Sequence, residues 1–244
     1  MVVTVVGPAP AGSLRVRFAS RTWPLFKEDS RWRTYLGTDP TTTPGMRTVS
    51  VEAVTGAGDR ILARATVKVI RVSFGRRRLM LDPRTLALLD PKLIELERRK
   101  VQRALSVLQP VQLWRGPFGR PVSSRVTSGY GVLSIYQGRV WGFHRGVDFG
   151  AEVGTPVRAA NDGIVRLAET LPVSGNAVLV DHGLGVVTSY LHLSEILVRP
   201  GQQVRNGEVI GRVGSTGLAT GPHLHWGLRV NGVHVNPLPW ATPR

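Results

Sequence analysis

Glycine recurs at positions 129, 131, 142, 146, 150, 154 and 163, and that recurrence excludes a helical core for the second half of the chain. Each glycine inside a helix costs about 1 kcal/mol relative to alanine, and no helical hydrophobic period of useful length survives between these positions. What remains are short apolar runs such as Ala177-Val178-Leu179-Val180 and Val209-Ile210, separated by turn signals such as Asn161-Asp162-Gly163 and Asn231-Gly232. Runs of this length bounded by such dipeptides are strands joined by tight turns. The prediction is a mostly antiparallel β domain over residues 115–244.

The first half reads differently. Leu14-Arg15-Val16-Arg17-Phe18, Thr48-Val49-Ser50-Val51-Glu52-Ala53 and Ala63-Arg64-Ala65-Thr66-Val67-Lys68-Val69 alternate with a period of two, the pattern of a sheet with one wet face. Gly7-Pro8, Asp39-Pro40, Pro44-Gly45 and Gly56 to Asp59 punctuate them. Residues 1–75 are therefore expected to form a small immunoglobulin-like β-sandwich. Residues 76–114 follow as a linker. Within it Asp90-Pro91 opens a helix over about 91–108, with Asp as cap and Pro at the first helical position. Leu93, Leu96, Val101, Ala104, Leu105 and Leu108 share one broad face, interrupted by Glu97 and Lys100. The fold class is mainly β.

Charge is divided unequally. Residues 1–120 carry 22 Lys and Arg against 9 Asp and Glu, a net +13, whereas residues 121–244 carry 10 against 7, a net +3. Arg76-Arg77-Arg78 and Arg98-Arg99-Lys100 are the densest points, and such a surface attracts polyanions, among them acidic cell-wall polymers. A nucleic-acid motif with interleaved aromatics is missing. No apolar run approaches the roughly 18 residues of a membrane span. The start, Met1-Val-Val-Thr-Val-Val, has no basic segment and soon meets Gly7-Pro8, so it does not read as a signal peptide. With no cysteine in the chain, disulfides and thiolate metal sites are excluded, and any metal must be held by histidine and carboxylate.

The histidines supply that chemistry. His144 and Asp148 stand at i and i+4. In a straight strand they would lie about 13 Å apart, so the chain must bend between them, and Gly146 is the residue expected to permit it. His223 and His225 stand at i and i+2, on one face of a strand, with Leu224 turned to the core. His192 lies between the clusters. A catalytic zinc usually takes three protein ligands and a water. Five candidates exceed that need, so some must serve as acid/base groups, and spacing alone leaves open which.

These segments resemble the lysostaphin-type, or LytM-like, zinc metallopeptidases, which cleave peptide cross-links of bacterial peptidoglycan. The resemblance runs from about Val126 to Trp240. It rests on His144-Arg-Gly-Val-Asp148, Gly154-Thr-Pro-Val-Arg-Ala159, Asp181-His-Gly183, Tyr190-Leu-His192-Leu193, Gly207-Glu-Val-Ile-Gly211, Gly214-Ser-Thr-Gly217 and Gly221-Pro-His-Leu-His225, in that order. It implies an antiparallel lysostaphin-like (duplicated hybrid motif) catalytic domain, Zn2+ bound by His144, Asp148 and His225, and His192 and His223 as a catalytic pair that does not bind the metal. It also implies a peptidoglycan peptide as substrate and a periplasmic, secreted or wall-associated location, any signal peptide having been removed from this sequence. The competing expectation is a catalytically silent wall-binding module that regulates another hydrolase, as in relatives that have lost their ligands; here all five residues are present. His182 reads as structural and His234, after a hairpin tip, as surface. Trp226 and Gly227 depart from the Phe and the acidic residue expected after His225, which puts outer support for His225 in question. Trp141 and Trp226 read as core or cleft-wall residues, and Tyr136 as a weak oxyanion candidate.

Overall fold

The computed structural model describes residues 1–6, 13–55 and 58–242; the turn signals at Gly7-Pro8 and Gly56-Ala57 lie outside them. Seven strands come first: β1 (Val2–Val6), β2 (Ser13–Phe18), β3 (Arg21–Pro24), β4 (Phe26–Glu28), β5 (Arg31–Tyr35), β6 (Gly45–Thr55) and β7 (Gly58–Val69). They build two antiparallel sheets, ordered β1-β5-β4 and β3-β2-β6-β7. The period-two reading holds within β2, where Leu14, Val16 and Phe18 are buried and alternate with Arg15 and Arg17. Both arginines reach across to Glu52 on β6 at 2.9 Å, so one buried carboxylate gathers two guanidinium groups on this face.

β8 (Arg76–Leu79) and two helices follow, α1 (Pro83–Ala87) and α2 (Pro91–Ala104). The Asp90 side chain caps α2 by accepting from the Lys92 amide at 2.7 Å. The helix ends at Ala104, short of the expected 108. Beyond it the chain is drawn onto the sheet: Leu105 and Leu108 pack with Val101 and Ala104 against Leu167, Leu171, Ala177, Leu179 and Val187. Glu97 and Lys100, which interrupt the apolar face, dock the helix. Glu97 accepts from the amides of Val173 and Ser174 at 2.8 and 3.0 Å, and Lys100 pairs with Glu169.

The second half contains β9 (Val126–Ser128), β10 (Leu133–Tyr136), β11 (Arg139–Phe143), β12 (Gly146–Gly150), β13 (Pro156–Arg158), β14 (Gly163–Leu171), β15 (Gly175–Gly183), β16 (Val186–Leu193), β17 (Glu195–Ile196), β18 (Gln203–Val204), β19 (Val209–Arg212), β20 (His223–Val230) and β21 (Val233–Val235). An eight-stranded sheet runs β18-β14-β15-β16-β20-β12-β9 with β21 beside β20, and β13-β19-β17 form a small second sheet. The pairs along the main sheet are antiparallel, as the turn chemistry predicts. Phe149, Tyr190, Leu224, Trp226 and Leu228 are fully buried in its core. The two halves meet at β21: Val233 joins the core of the first half, and Asn231 Nδ2 donates to the Tyr35 carbonyl at 2.9 Å.

His182 is structural in its surroundings. It is 0% exposed, with Nδ1 2.7 Å from the Asp162 carbonyl and Nε2 2.7 Å from Thr188 Oγ1, which lies 3.0 Å from the Tyr190 hydroxyl. Burial pushes its pKa down to about 4 from 6.5, so the ring is neutral, donates from Nδ1 and accepts from Thr188. Between pH 6.5 and 4 the unfolded chain binds a proton here that the folded chain refuses. This contribution to stability is therefore complete above pH 6.5 and is lost as pH falls, by about 3 kcal/mol across the window. Urea unfolding of the wild type and of His182→Gln at pH 7 and pH 4 checks it. The wild type should lose more stability on acidification, and equal losses would remove His182 as the cause.

Candidate metal and catalytic site

The site forms where β12 and β20 pair. Their antiparallel register sets Asp148 opposite His225 and Gly146 opposite Gly227. His144 falls in the break between β11 and β12, and its ring reaches the carboxylate of Asp148 on β12. Three donor atoms then form a triangle. His144 Nε2 is 2.8 Å from Asp148 Oδ1 and 3.0 Å from His225 Nδ1, and His225 Nδ1 is 3.0 Å from Asp148 Oδ1. His144, Asp148 and His225 can hold a metal ion. The edges are a few tenths of an ångström short of the ~3.3 Å of a tetrahedron with bonds of ~2.0–2.1 Å to zinc, and two imidazoles with one carboxylate are a donor set zinc accepts. The residues present fit the ion.

The bend came about differently from the expectation. Gly146 opens β12 and is not among the glycines with positive φ; its requirement is space. A Cβ there would lie 2.6 Å from His225 Nε2 and 2.5 Å from the Trp226 carbonyl oxygen. Gly227 is less confined, since an added Cβ would meet only the Ser189 hydroxyl closely, at 2.5 Å. Of the two, only Gly146 lies tightly against the His225 ring; a Cβ at Gly227 would stand 3.7 Å from it.

Three of the four imidazoles are oriented from behind by backbone carbonyls. His144 Nδ1 lies 2.8 Å from the Gly129 carbonyl, which makes it the donor and leaves the Nε2 lone pair facing Asp148 and His225. His223 Nδ1 sits 2.8 Å from the Gly221 carbonyl and His192 Nδ1 2.8 Å from the Thr216 carbonyl. In the neutral rings this reserves Nε2 on both. His223 Nε2 is 3.9 Å from Asp148 Oδ1, near the triangle but outside it. The His192 and His223 rings stand 4.9 Å apart, and His192 lies 6.1 Å from His225. All five sequence-predicted residues are thus brought together.

Local backbone serves this arrangement. His192 has φ of +64° in a bulged stretch where the β15–β16 register shifts, and a bulge re-aims a side chain. A left-handed backbone costs a non-glycine residue roughly 1–2 kcal/mol, a local cost accepted where the ring enters the site. Burial, then the neighbouring His223 and His225, push the His192 pKa down to about 3, so this ring is neutral near pH 7. Burial would raise the Asp148 carboxyl, but hydrogen bonds and charge from His144 and His225 prevail and hold it well below the usual range.

Other assignments divide. Trp226 is core and packs near Phe149, while Trp141 is 44% exposed and stacks on Tyr136. Tyr136 pairs with Arg139 at the tip of the β10–β11 hairpin, whereas Leu133 and Phe143 pair at the base beside His144; the phenol is held at the wrong end for an oxyanion role. His234 is not a free surface residue: Nε2 accepts from Arg229 Nε at 3.0 Å, and burial lowers its pKa. The reading of single residues missed Ser128 and Arg77. Ser128 Oγ is 3.3 Å from His144 Nδ1, and Arg77 Nη1 donates to Asp148 Oδ2 at 3.1 Å.

The model of Peptidase family M23 matches residues 142–237, a span that holds all five residues. The DD-carboxypeptidase/endopeptidase Mpg of Neisseria meningitidis is 46% identical over 122 residues, 50% of this chain and 28% of its own length. Residues 142–237 are a peptidase family M23 domain. The peptidoglycan DD-endopeptidase ShyC of Vibrio cholerae is 48% identical over 94 residues, which cover 38% of this chain and 22% of ShyC. The chain therefore matches well under half the length of these two curated relatives. A crystal structure assigned to peptidase M23 from Pseudomonas aeruginosa superposes with a TM-score of 0.70 at 29% identity, covering 98% of this chain and 92% of that one. That likeness extends through the first half as well.

Proposed function

We propose that this protein is a zinc metalloendopeptidase that hydrolyses peptide cross-links of bacterial peptidoglycan. The observation that carries the reading is the His144–Asp148–His225 triangle, flanked by two further imidazoles whose Nε2 atoms are left free by carbonyl-bound Nδ1 groups. A Zn2+ ion held by the three donors would polarise the scissile carbonyl and acidify water near it. The chain's own groups do the rest. Asp148 supplies negative charge against the cation. One of His223 and His192, both oriented through Nδ1, takes the proton from the attacking water at Nε2. A ring so protonated becomes a donor, first to the developing oxyanion and then to the leaving amine.

Peptidoglycan as substrate draws support from the name and 48% identity of ShyC, and it places the action outside the cytoplasm. No helix among the described residues is long and apolar enough to cross a membrane. The basic first half, net +13, would hold the enzyme near anionic wall polymers. Digestion of purified peptidoglycan with mass analysis of the fragments tests the activity. Peptide-bond cleavage should occur, cease with a chelator and return with zinc. Intact sacculi at high enzyme and zinc would refute it, and fragments cut in the glycan alone would move it to another class.

A further inference from the structure

We infer that Arg77 is a positioning residue for the metal site, contributed by a strand far outside the stretch that carries the five site residues. The inference rests on the zinc reading above and extends it to the other side of the aspartate. Asp148 turns Oδ1 toward His144 and His225. Its second oxygen, Oδ2, faces away from the triangle and accepts from Arg77 Nη1 at 3.1 Å. The same guanidinium donates from Nε to Ser134 Oγ at 2.9 Å and from Nη1 to Ser128 Oγ at 3.1 Å. Ser128 Oγ in turn lies 3.3 Å from His144 Nδ1. One planar group therefore backs two of the three metal donors, Asp148 directly and His144 through a serine.

The strand that delivers Arg77 is held by contacts that do not involve it. β8 runs parallel to β10, with Arg77 in register with Ser134. The Leu133 amide donates to the Gly75 carbonyl at 2.8 Å, and Gln137 Nε2 donates to the Leu81 carbonyl at 2.7 Å. Phe74 packs against Tyr130 and Phe143, and it fills the space where a Cβ on Gly131 would stand. With the backbone fixed this way, Arg77 and Leu79 turn inward and Arg76 and Arg78 outward. The arginine run is thus two solvent charges flanking one that serves the site.

The physical role follows from the carboxylate. A buried aspartate with one free oxygen can rotate about its terminal bond or chelate through both oxygens. An arginine on Oδ2 fixes the rotamer and presents Oδ1 alone to the ion. Such outer partners typically contribute about 10–100-fold in metal affinity. Lysine cannot reproduce the fork, because a single ammonium reaches fewer of the three acceptors at once.

The test is zinc affinity by chelator competition on the full chain, with unfolding of the metal-free protein measured alongside. Arg77→Met should bind zinc about 10–100-fold more weakly than the wild type, while its metal-free form unfolds cooperatively. Arg77→Lys should recover part of that loss, and Arg78→Met, on the outward face of the same strand, should match the wild type. If Arg77→Met does not fold, Ser134→Ala carries the test, with a loss of a few-fold expected. Unchanged or tighter binding by Arg77→Met, or an equal loss in Arg78→Met, overturns the assignment. A wild type that fails to bind zinc overturns the metal reading itself, a separate result.

Discussion

If the proposed reading holds, replacing His223 with alanine should lower peptidoglycan hydrolysis by roughly 10²–10⁴-fold, the usual contribution of a positioned general acid or base, and leave the metal bound. The separation of the two effects comes from distance. The three donors of the triangle lie within 2.8–3.0 Å of one another, whereas His223 Nε2 stands 3.9 Å from Asp148 Oδ1. Alanine removes the imidazole and keeps the backbone bond from the 223 amide to the Gly214 carbonyl at 3.1 Å. The strand continues into Leu224 and Trp226, both 0% exposed in the core, so the position of His225 is set by neighbours that the change does not touch. Zinc content per chain and turnover on purified peptidoglycan, measured on one preparation, check both halves. Full turnover would take His223 out of proton transfer. Loss of zinc would make it a ligand, and the division of labour would have to be redrawn.

That division was only partly legible in the sequence. The spacing of His223 and His225 placed both on one strand face, and the need for a bend between His144 and Asp148 followed from the reach of an extended chain. Short-range orientation was also within reach: the carbonyl that fixes the His223 tautomer belongs to Gly221, two residues away. Long-range orientation was not. Gly129 and Thr216 supply carbonyls from loops whose approach depends on the completed sheet. Arg77 gave a misleading signal. In sequence it sits in the middle of an arginine triplet and reads as surface charge, and only the parallel pairing of β8 with β10 turns it inward. Parallel pairing of short strands leaves no hairpin signature, so nothing local announced it. Glu97 and Lys100 misled in the same way, since residues that interrupt an apolar helix face look like defects until their partners Ser174 and Glu169 are in place.

Gly146→Ala should abolish zinc binding at ordinary concentrations and hydrolysis with it, although the substitution adds one methyl group and changes no donor. The position tolerates an alanine backbone, because its φ lies outside the left-handed region; the obstacle is what the methyl meets. An added Cβ stands 2.5 Å from the Trp226 carbonyl oxygen, 2.6 Å from His225 Nε2 and 2.8 Å from His225 Cε1. The carbonyl belongs to the strand paired with Gly146 and cannot retreat without opening the β12–β20 ladder. The His225 ring is the softer obstacle and moves first, but the carbonyl contact stays too short, so β12 and β20 must also part locally. Rotating it away carries Nδ1 out of the triangle and breaks its 3.0 Å approach to Asp148 Oδ1. Overpacking of this kind costs about 1–3 kcal/mol in stability, so the protein should still fold near room temperature. The loss of one of three ligands should weaken zinc by more than the 10–100-fold typical of outer partners. Thermal unfolding with and without added zinc distinguishes the outcomes. The wild type should gain stability on adding zinc, in proportion to RT ln(1 + [L]/Kd), and Gly146→Ala should gain little at the same concentration. A variant that is stabilised by zinc as strongly as the wild type would mean that the strands part without displacing the ring, and that His225 is held by something other than the closeness of this glycine.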